Sequence, residues 1–421
     1  MRDHPCAAVL ALLLATQLAG GMELWSQQQK ERHLTLSPTL KTSALLAHHP
    51  DDAFLFPHEW SALSLSRLRL DLHARWGDDL DARLAYEFGA RWYNQHDGIT
   101  DLLGLSSLTL PIPFRLTPVH HDWYEGKRLL GTRELDRAFV AFPPDWGEVV
   151  VGRQAIGLGR GVLFSATDLF SPFSPVEVDR EWRRGGDAVR LERRLSPTAS
   201  IELIAVGGEH WDESAFLCRL RGYFGLVDAA VLGGRRGTDQ FVGAVVSAAT
   251  GDAEAHGEVM VFRTRDEHPQ GSIFGDGDTI PKAVLGGSYT FNVGNGLTVL
   301  GEYHYSGFAS HEADQAQLLF VQPEYLARYL RGDTQIICRH AVGLQLAYSL
   351  NEALTSTVNV ILNPRDGSGV LSPSMRWDIS RNVSLTVAGY LGWGEQPVNA
   401  MLQSEYGAYG QSLFAQLGLY F

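Results

Sequence analysis

Two short clusters of histidine and aspartate contain the residues whose types could catalyse a reaction. His120, His121 and Asp122 are consecutive, and His210 lies two positions before Asp212. An imidazole beside a carboxylate can act as a general base. Neither cluster is accompanied by a G-x-S-x-G nucleophile elbow or by another spaced set of partners. We therefore expect solvated side chains here, and no enzyme.

Cofactor chemistry has equally little support in the sequence. Adjacent histidines at 48–49 and at 120–121 lack the ligand spacing of a closed metal site. Cys218 and Cys338, the cysteines beyond the N-terminal segment, stand in neither a C-x-x-C nor a C-x-x-C-H setting, so we expect no metal, no attached haem and no other cofactor. Both share the parity of apolar neighbours, which predicts two separate lipid-facing thiols rather than a disulfide.

Charged residues instead recur on one face of long alternating segments. Residues 67–75, 80–92, 297–305 and 383–393 place apolar and aromatic side chains on one parity and polar ones on the other. A strand of this kind separates lipid from water, because a Lys or Arg facing lipid at mid-membrane costs about 2–4 kcal/mol. The parity flips between Leu65 and Leu68, which predicts a β-bulge near Ser66. The charges that we expect to line a lumen are Arg67, Arg69, Arg83, Glu87, Arg91, Arg190, Glu192, Arg219 and Arg221.

The end of the chain carries the same alternation. Leu413, Ala415, Leu417, Leu419 and Phe421 occupy one parity of a bilayer-length segment that stops on an aromatic residue. This pattern resembles the terminal strand of Gram-negative outer-membrane β-barrels. In that family the final Phe is read by the assembly machinery, so the resemblance implies the same partner for this chain.

The start of the chain and its composition agree with export. Residues 1–21 combine an early Arg2 with a short apolar run and small residues at its end, which predicts a secretory signal peptide and a barrel over residues 22–421. A net charge of −13 argues against a nucleic-acid partner. We expect outer-membrane lipid to surround the protein.

Turn lengths predict the size of the barrel. Short turns are expected at 77–79, 143–146, 195–197, 224–225, 250–255, 293–295, 351–352 and 380–382. Longer segments alternate with them, as in bacterial barrels whose termini both lie in the periplasm. Beginning with a strand at about 35–46, the count gives an all-β, antiparallel up-and-down transmembrane barrel of about eighteen strands, with a range of sixteen to twenty. A barrel of that size encloses an aqueous channel.

The most distinctive stretch covers residues 151–192. It contains Gly152-Arg153-Gln154 and, further on, the segment from Thr167 to Phe173. This arrangement is similar to a pattern in alginate-export-like and other proteobacterial outer-membrane channel proteins. A long loop can fold into a lumen and set the field that an ion crosses. The loop at 157–185 can equally cap the barrel from outside. The candidates for a constriction are Arg153, Arg160, Asp179, Arg180, Glu181, Arg183 and Arg184.

Two functions from different classes fit this architecture. The first is a porin that passes small hydrophilic solutes or ions. The second is a barrel sheath that encloses or docks a periplasmic multihaem cytochrome in a porin-cytochrome electron conduit. A sheath must leave its lumen open to another protein, whereas a solute channel should carry a constriction loop.

Overall fold

A computed structural model describes residues 22–27, 32–52, 54–94, 114–117, 120–264, 279–320 and 322–421. The predicted signal peptide lies outside these ranges. Within these ranges, no helix has the length and apolar character that crossing a bilayer requires.

The described residues contain twenty strands and two short α-helices, joined by turns and loops. The strands are β1 Met22–Gln27, β2 Arg32–His48, β3 Trp60–Trp76, β4 Leu80–Tyr93, β5 His120–Glu125, β6 Leu129–Phe142, β7 Gly147–Gln154, β8 Gly186–Ser196, β9 Ala199–Gly207, β10 Ala215–Phe224, β11 Val227–Arg236, β12 Asp239–Thr250, β13 Ala253–Arg263, β14 Thr279–Phe291, β15 Leu297–Ser306, β16 His340–Asn351, β17 Leu354–Leu362, β18 Gly369–Ser380, β19 Val383–Trp393 and β20 Gln411–Tyr420. The helices are α1 Ala313–Phe320 and α2 Pro323–Leu330.

Eighteen of these strands close into one antiparallel barrel. Neighbours in sequence pair throughout, β4 pairs with β6, and β20 closes the cylinder on β2. The two remaining strands extend its wall, since β1 pairs with the first residues of β2, and β5 pairs with β6 beyond the reach of β7. Closure pairs the backbone groups that an open edge would leave unsatisfied in lipid. The predicted fold class and strand number are confirmed.

The side chains divide between the two faces of the wall as the alternation requires. Leu68, Leu84 and Phe88 are exposed on the outer face, and Arg67, Arg69 and Asp71 are buried on the inner one. Aromatic residues are exposed near both ends of the strands, among them Trp60, Trp92 and Trp393 at one end and Trp76, Phe142 and Trp377 at the other. Such girdles typically lie at the two membrane interfaces.

Short and long connections lie on opposite ends of the barrel. All eight predicted short turns are present, and five of them have two residues each, joining β8 to β9, β10 to β11, β12 to β13, β16 to β17 and β18 to β19. Both the start of β2 and the end of β20 lie at this short-turn end. The predicted long segment at 233–239 is wrong, because β11 and β12 continue through it and leave a two-residue turn.

Two predictions about parity are also wrong. No bulge occurs near Ser66, since β3 stays in register with β2 and β4 throughout. Leu63 and Leu65 face inward, where the inward-folded chain around Val178 covers them. Cys218 is exposed as expected, but Cys338 is buried in the segment before β16, and both thiols are free. Parity cannot be extended into a segment that is not a strand.

Candidate functional site

Residues 155–185 leave β7 at the long-loop end and fold into the barrel before returning to β8. Leu163, Phe164, Leu169 and Phe170 are each at most 4% exposed. They belong to one buried cluster with inward-facing wall residues such as Met260. Burial of these side chains holds the segment, which we call the inner loop, inside the lumen. The sequence alone did not decide whether this loop enters the lumen or caps the barrel from outside.

A glutamate on the wall anchors the first half of the inner loop. Glu258, on β13, accepts hydrogen bonds from the backbone N–H groups of Ala166 at 2.7 Å and Thr167 at 2.9 Å, and from the hydroxyls of Ser165 and Thr167. Its second oxygen accepts the N–H groups of Arg160 and Gly161. Six donors therefore surround one carboxylate that is 3% exposed.

A second wall glutamate holds the residues between these donors. Glu302, on β15, accepts the backbone N–H groups of Val162, Leu163 and Phe164, the last two at 2.9 Å. His256 on β13 contacts the same carboxylate through Nε2 at 3.0 Å. Successive N–H groups that converge on an anion form a backbone nest. We call Glu258 and Glu302 together the loop clasp.

The local sequence explains why the inner loop can form these nests. Asp168 accepts the N–H groups of Leu158 at 2.7 Å and Gly159 at 2.9 Å, which folds the segment back on itself. At Gly161 a Cβ would lie 1.8 Å from the carbonyl oxygen of Phe164, so only glycine fits the turn.

The second half of the inner loop meets the opposite wall through charges. Asp179 accepts hydrogen bonds from Lys41 at 2.8 Å and from Arg67 at 2.7 Å. Burial acts to raise the pKa of the Asp179 carboxyl, but the Arg67 and Lys41 cations more than offset this and hold the pKa below its usual value. The Trp182 ring lies 4.1 Å from Lys41 Nζ and 4.9 Å from the Arg69 guanidinium. These are cation–π distances.

The structure places all nine predicted lumen residues on the inward parity of their strands. Arg69, Arg83 and Arg190 line a cavity at the short-turn end. Five of the other six are placed by ion pairs, and Arg91 is placed by its parity. The ion pairs of the nine residues include Arg67 with Glu87 and Asp179, Arg69 with Asp71, Glu87 and Asp136, Arg83 with Asp71, Arg190 with Glu192 and Glu202, Arg219 with Glu202, and Arg221 with Asp228. Arg91 lies on the same inward parity of β4 as Glu87.

Four of the seven constriction candidates hold the inner loop in shape. Arg160 pairs with Asp228 on the wall, and Arg184 pairs with Glu134 at 3.1 Å. Arg180 donates to the loop carbonyls of Ser174 and Pro175, both at 3.0 Å. Arg183 pairs with Asp168 at 2.7 Å. These contacts commit most of the loop arginines to other loop or wall atoms.

The remaining candidates divide between the cavity and the wall. Glu181, like Arg183, lines the short-turn cavity, and it also pairs with Lys41 at 2.7 Å. Asp179 bridges loop and wall as described above. The prediction that Arg153 belongs to the constriction loop is wrong, because Arg153 lies on β7. It pairs with Asp187 at 2.7 Å and donates to the carbonyl of Thr117, and it is 4% exposed.

Three cavities follow the inner face of the wall from one end of the barrel to the other. At the long-loop end, about 810 Å³ lies between residues 48–59 and 392–411. A small cavity of about 60 Å³ follows, between Asp179 on the inner loop and Ser43, Leu63 and Gln416 on the wall. At the short-turn end, about 1060 Å³ is lined by β3, β4, β6, β7 and β8 and by the end of the inner loop.

The sequence reasoning missed several residues of this site. Glu258, Glu302 and Lys41 carry the main contacts of the inner loop, yet in the sequence each looks like any other charge on an inward parity. The glycines and hydroxyls between residues 157 and 168 were the available signal, since they are typical of a nest that awaits an anion.

One of the predicted chemical candidates meets the edge of this site, since His120 Nδ1 lies 3.6 Å from the Glu134 carboxylate that also pairs with Arg184. His120, His121 and Asp122 lie on β5 and are exposed, as are His210 and Asp212. Among the described residues no group of three or more His, Cys, Asp or Glu side chains is arranged to hold a metal ion.

The closed barrel, its girdles and its inward loop define the fold class as a transmembrane porin-like barrel. Solved structures agree. OccAB1 of Acinetobacter baumannii has a TM-score of 0.55 at 10% identity, covering 92% of this chain and 96% of that one. OccK9 (OpdG) of Pseudomonas aeruginosa has a TM-score of 0.53 at 10% identity, covering 92% and 97%. A BenF-like porin from Pseudomonas fluorescens has a TM-score of 0.52 at 9% identity, covering 92% and 98%.

No family model and no curated protein matches the chain. The likeness to the solved barrels therefore places the protein with outer-membrane porins by fold. The structure disagrees with a sheath that encloses a cytochrome, because the inner loop and its hydrophobic cluster occupy the lumen that such a protein would need. A cytochrome docked outside the lumen stays an untested prediction.

Proposed function

We propose that this chain is an outer-membrane channel, not an enzyme, that passes small hydrophilic solutes, with the inner loop as its constriction. The loop clasp is the observation that carries the proposal. Two wall carboxylates hold residues 160–167 inside the barrel, mainly through backbone N–H groups. A loop fixed in this way narrows the lumen but does not move to block it. The charges of the loop set the electric field that a solute crosses.

The three cavities mark the path. A solute enters between the loops at the long-loop end, passes the small cavity beside Asp179, and reaches the large cavity at the short-turn end. The narrowest point lies where Asp179 bridges to Lys41 and Arg67. In this path Asp179 and Glu181 are the constriction residues that face the solute. Arg160, Arg180, Arg183 and Arg184 support them.

The charge of the path favours anions. The large cavity is lined by seven arginines against four carboxylates. Its arginines include the predicted pore residues Arg69, Arg83 and Arg190, whereas Arg67, Glu87, Arg91, Glu192, Arg219 and Arg221 set the charge of the adjoining inner wall. An excess of fixed cations raises the local concentration of anionic solutes.

The orientation follows from the two ends of the barrel. We propose that the short turns and both termini face the periplasm, as in bacterial barrels. The N–H group of Phe421 donates to the carbonyl of Pro38 at 3.0 Å, which seals the last residue of β20 to β2. In this view the assembly machinery reads Phe421 before the barrel closes, and residues 1–21 direct export.

A liposome-swelling assay tests the proposal. The protein, expressed from Met22 and reconstituted, should admit small sugar acids faster than neutral sugars of equal size. Solutes wider than the constriction should be excluded. Equal swelling with protein-free liposomes would overturn the proposed function.

A further inference from the structure

A second polar site lies behind the inner loop, outside the three cavities of the proposed path. Lys282 on β14 and Ser306 on β15 are directly opposite each other in the sheet. His304 lies on the same inward parity of β15, two residues from Ser306. The exposed fractions are 2% for Lys282 and 0% for both His304 and Ser306.

The inner loop packs an aromatic ring against this site. The Phe164 ring of the inner loop stacks on His304, with centroids 5.1 Å apart and planes 11° apart. Phe262 and Phe308 pack edge to face with centroids 5.0 Å apart, and they belong to the same buried cluster as Phe164. Within the described residues, neither ring nitrogen of His304 has a hydrogen-bond partner. The same is true of Ser306 Oγ. A buried polar group without a partner destabilises the folded state.

The charges near this site do not balance. Arg236, Arg328 and Arg331 share two carboxylates, Asp239 and Asp333, in buried ion pairs. Lys282 adds a fourth cation. The Arg236 guanidinium and the carboxylates of Asp333, Glu258 and Asp168 are the charged groups that act on its ammonium.

The two other carboxylates in range are already engaged. Asp168 pairs with Arg183 at 2.7 Å. Glu258 accepts only the uncharged donors of the loop clasp and keeps its negative charge, so three carboxylates face the four cations and one positive charge remains. The Nε of Arg236 also lacks a partner within the described residues. Donors therefore exceed acceptors in this part of the interior.

We propose that Lys282, His304 and Ser306 bind a small inorganic anion of about the size of chloride. An ammonium, an imidazole N–H and a hydroxyl can all donate to one such ion. Water would satisfy the hydrogen bonds, but it would leave the buried excess of positive charge in place. The bound anion stabilises the packing of Phe164, and with it the inner loop, against β14 and β15.

Bromide provides the direct test, because it replaces chloride and scatters anomalously. Crystals of the detergent-solubilised protein grown in sodium bromide should show an anomalous peak among Lys282, His304 and Ser306. Thermal unfolding should shift upward by about 2 °C in sodium chloride relative to sodium gluconate at equal ionic strength. Lys282→Met should abolish both effects, whereas the same change at exposed Lys127 should leave both intact.

Ser306→Ala provides a second variant if Lys282→Met does not fold. It should weaken the peak and reduce the chloride shift. Ordered water without bromide at this position would overturn the proposal. So would an equal peak in the Lys282→Met protein, or an equal response to chloride and gluconate.

Discussion

Glu258 on the barrel wall accepts the backbone N–H of Thr167 on the inner loop at 2.9 Å, across 91 residues of sequence. The contact joins the part of the chain that forms the cylinder to the part that fills it. With five further donors on the same carboxylate, it fixes the direction of the loop.

The clasp predicts that Glu258→Gln releases the inner loop. The glutamine side chain has the same shape as glutamate. Its NH2 group replaces one carboxylate oxygen, so a donor faces the N–H groups of the inner loop. Hydrogen bonds to charged groups contribute about 1.5–3 kcal/mol each, so we expect a destabilisation of about 3–5 kcal/mol. Single-channel conductance should rise and fluctuate. Glu209→Gln, at an exposed loop position, is the control, and the same conductance in both variants would contradict the role of the clasp.

Neighbouring arginines on β8 provide a test of the anion path. Arg194 lines the short-turn cavity, whereas Arg193 has the opposite parity and is exposed on the outer face. Arg194→Gln should shift the reversal potential in a potassium chloride gradient toward lower anion preference. Arg193→Gln removes the same charge and should not. A shift of equal size in both would show that the cavity does not set selectivity.

A buried carboxyl predicts a pH effect on the long loops. Glu405 accepts the N–H groups of Ile337 at 3.0 Å and Cys338 at 3.2 Å, which ties residues 394–410 to the segment before β16. Burial, only partly offset by these two hydrogen bonds, raises the pKa of Glu405 to about 8. A raised pKa means that its contribution to stability is full below the unfolded value of about 4.5 and is lost as the pH rises through about 8.

Hydrogen exchange of these loops should therefore accelerate between pH 5 and pH 9 beyond the intrinsic base-catalysed increase. Glu405→Gln should remove the excess, because the amide keeps an acceptor and does not ionise. An identical excess in wild type and variant would assign the pH effect to another group.

The two thiols test the parity of the wall. Cys218 is exposed on the outer face of β10, and Cys338 is 2% exposed in the segment before β16. Burial raises the pKa of the Cys338 thiol, which disfavours the reactive thiolate. In folded protein expressed from Met22, N-ethylmaleimide should modify one thiol per chain, and two after heating in detergent. Cys218→Ser should abolish the reaction of the folded form, and modification of Cys338 instead would contradict the structure.

The sequence predicts the wall of this protein well because a strand has a fixed period of two. All nine lumen charges, from Arg67 to Arg221, follow from that period, as do the eight short turns. The error at Leu65 has a physical reason. The lumen there is apolar, because the inner loop covers it, and the rule that polar side chains face inward fails.

The inner loop could not be oriented from sequence for a different reason. Its partners Glu258 and Glu302 lie 91 to 140 residues away in sequence, on strands that are neighbours of the loop only after the barrel closes. Arg160, Arg180 and Arg183 look like free charges in the sequence. Their partners are two carboxylates and several loop carbonyls, which no spacing rule indicates.

Single-channel recording in a planar lipid bilayer tests the central claim most directly. Purified wild-type protein should produce discrete conductance steps, and in a potassium chloride gradient the reversal potential should have the sign of anion preference. Stable insertion of the folded barrel without conductance steps would contradict the account.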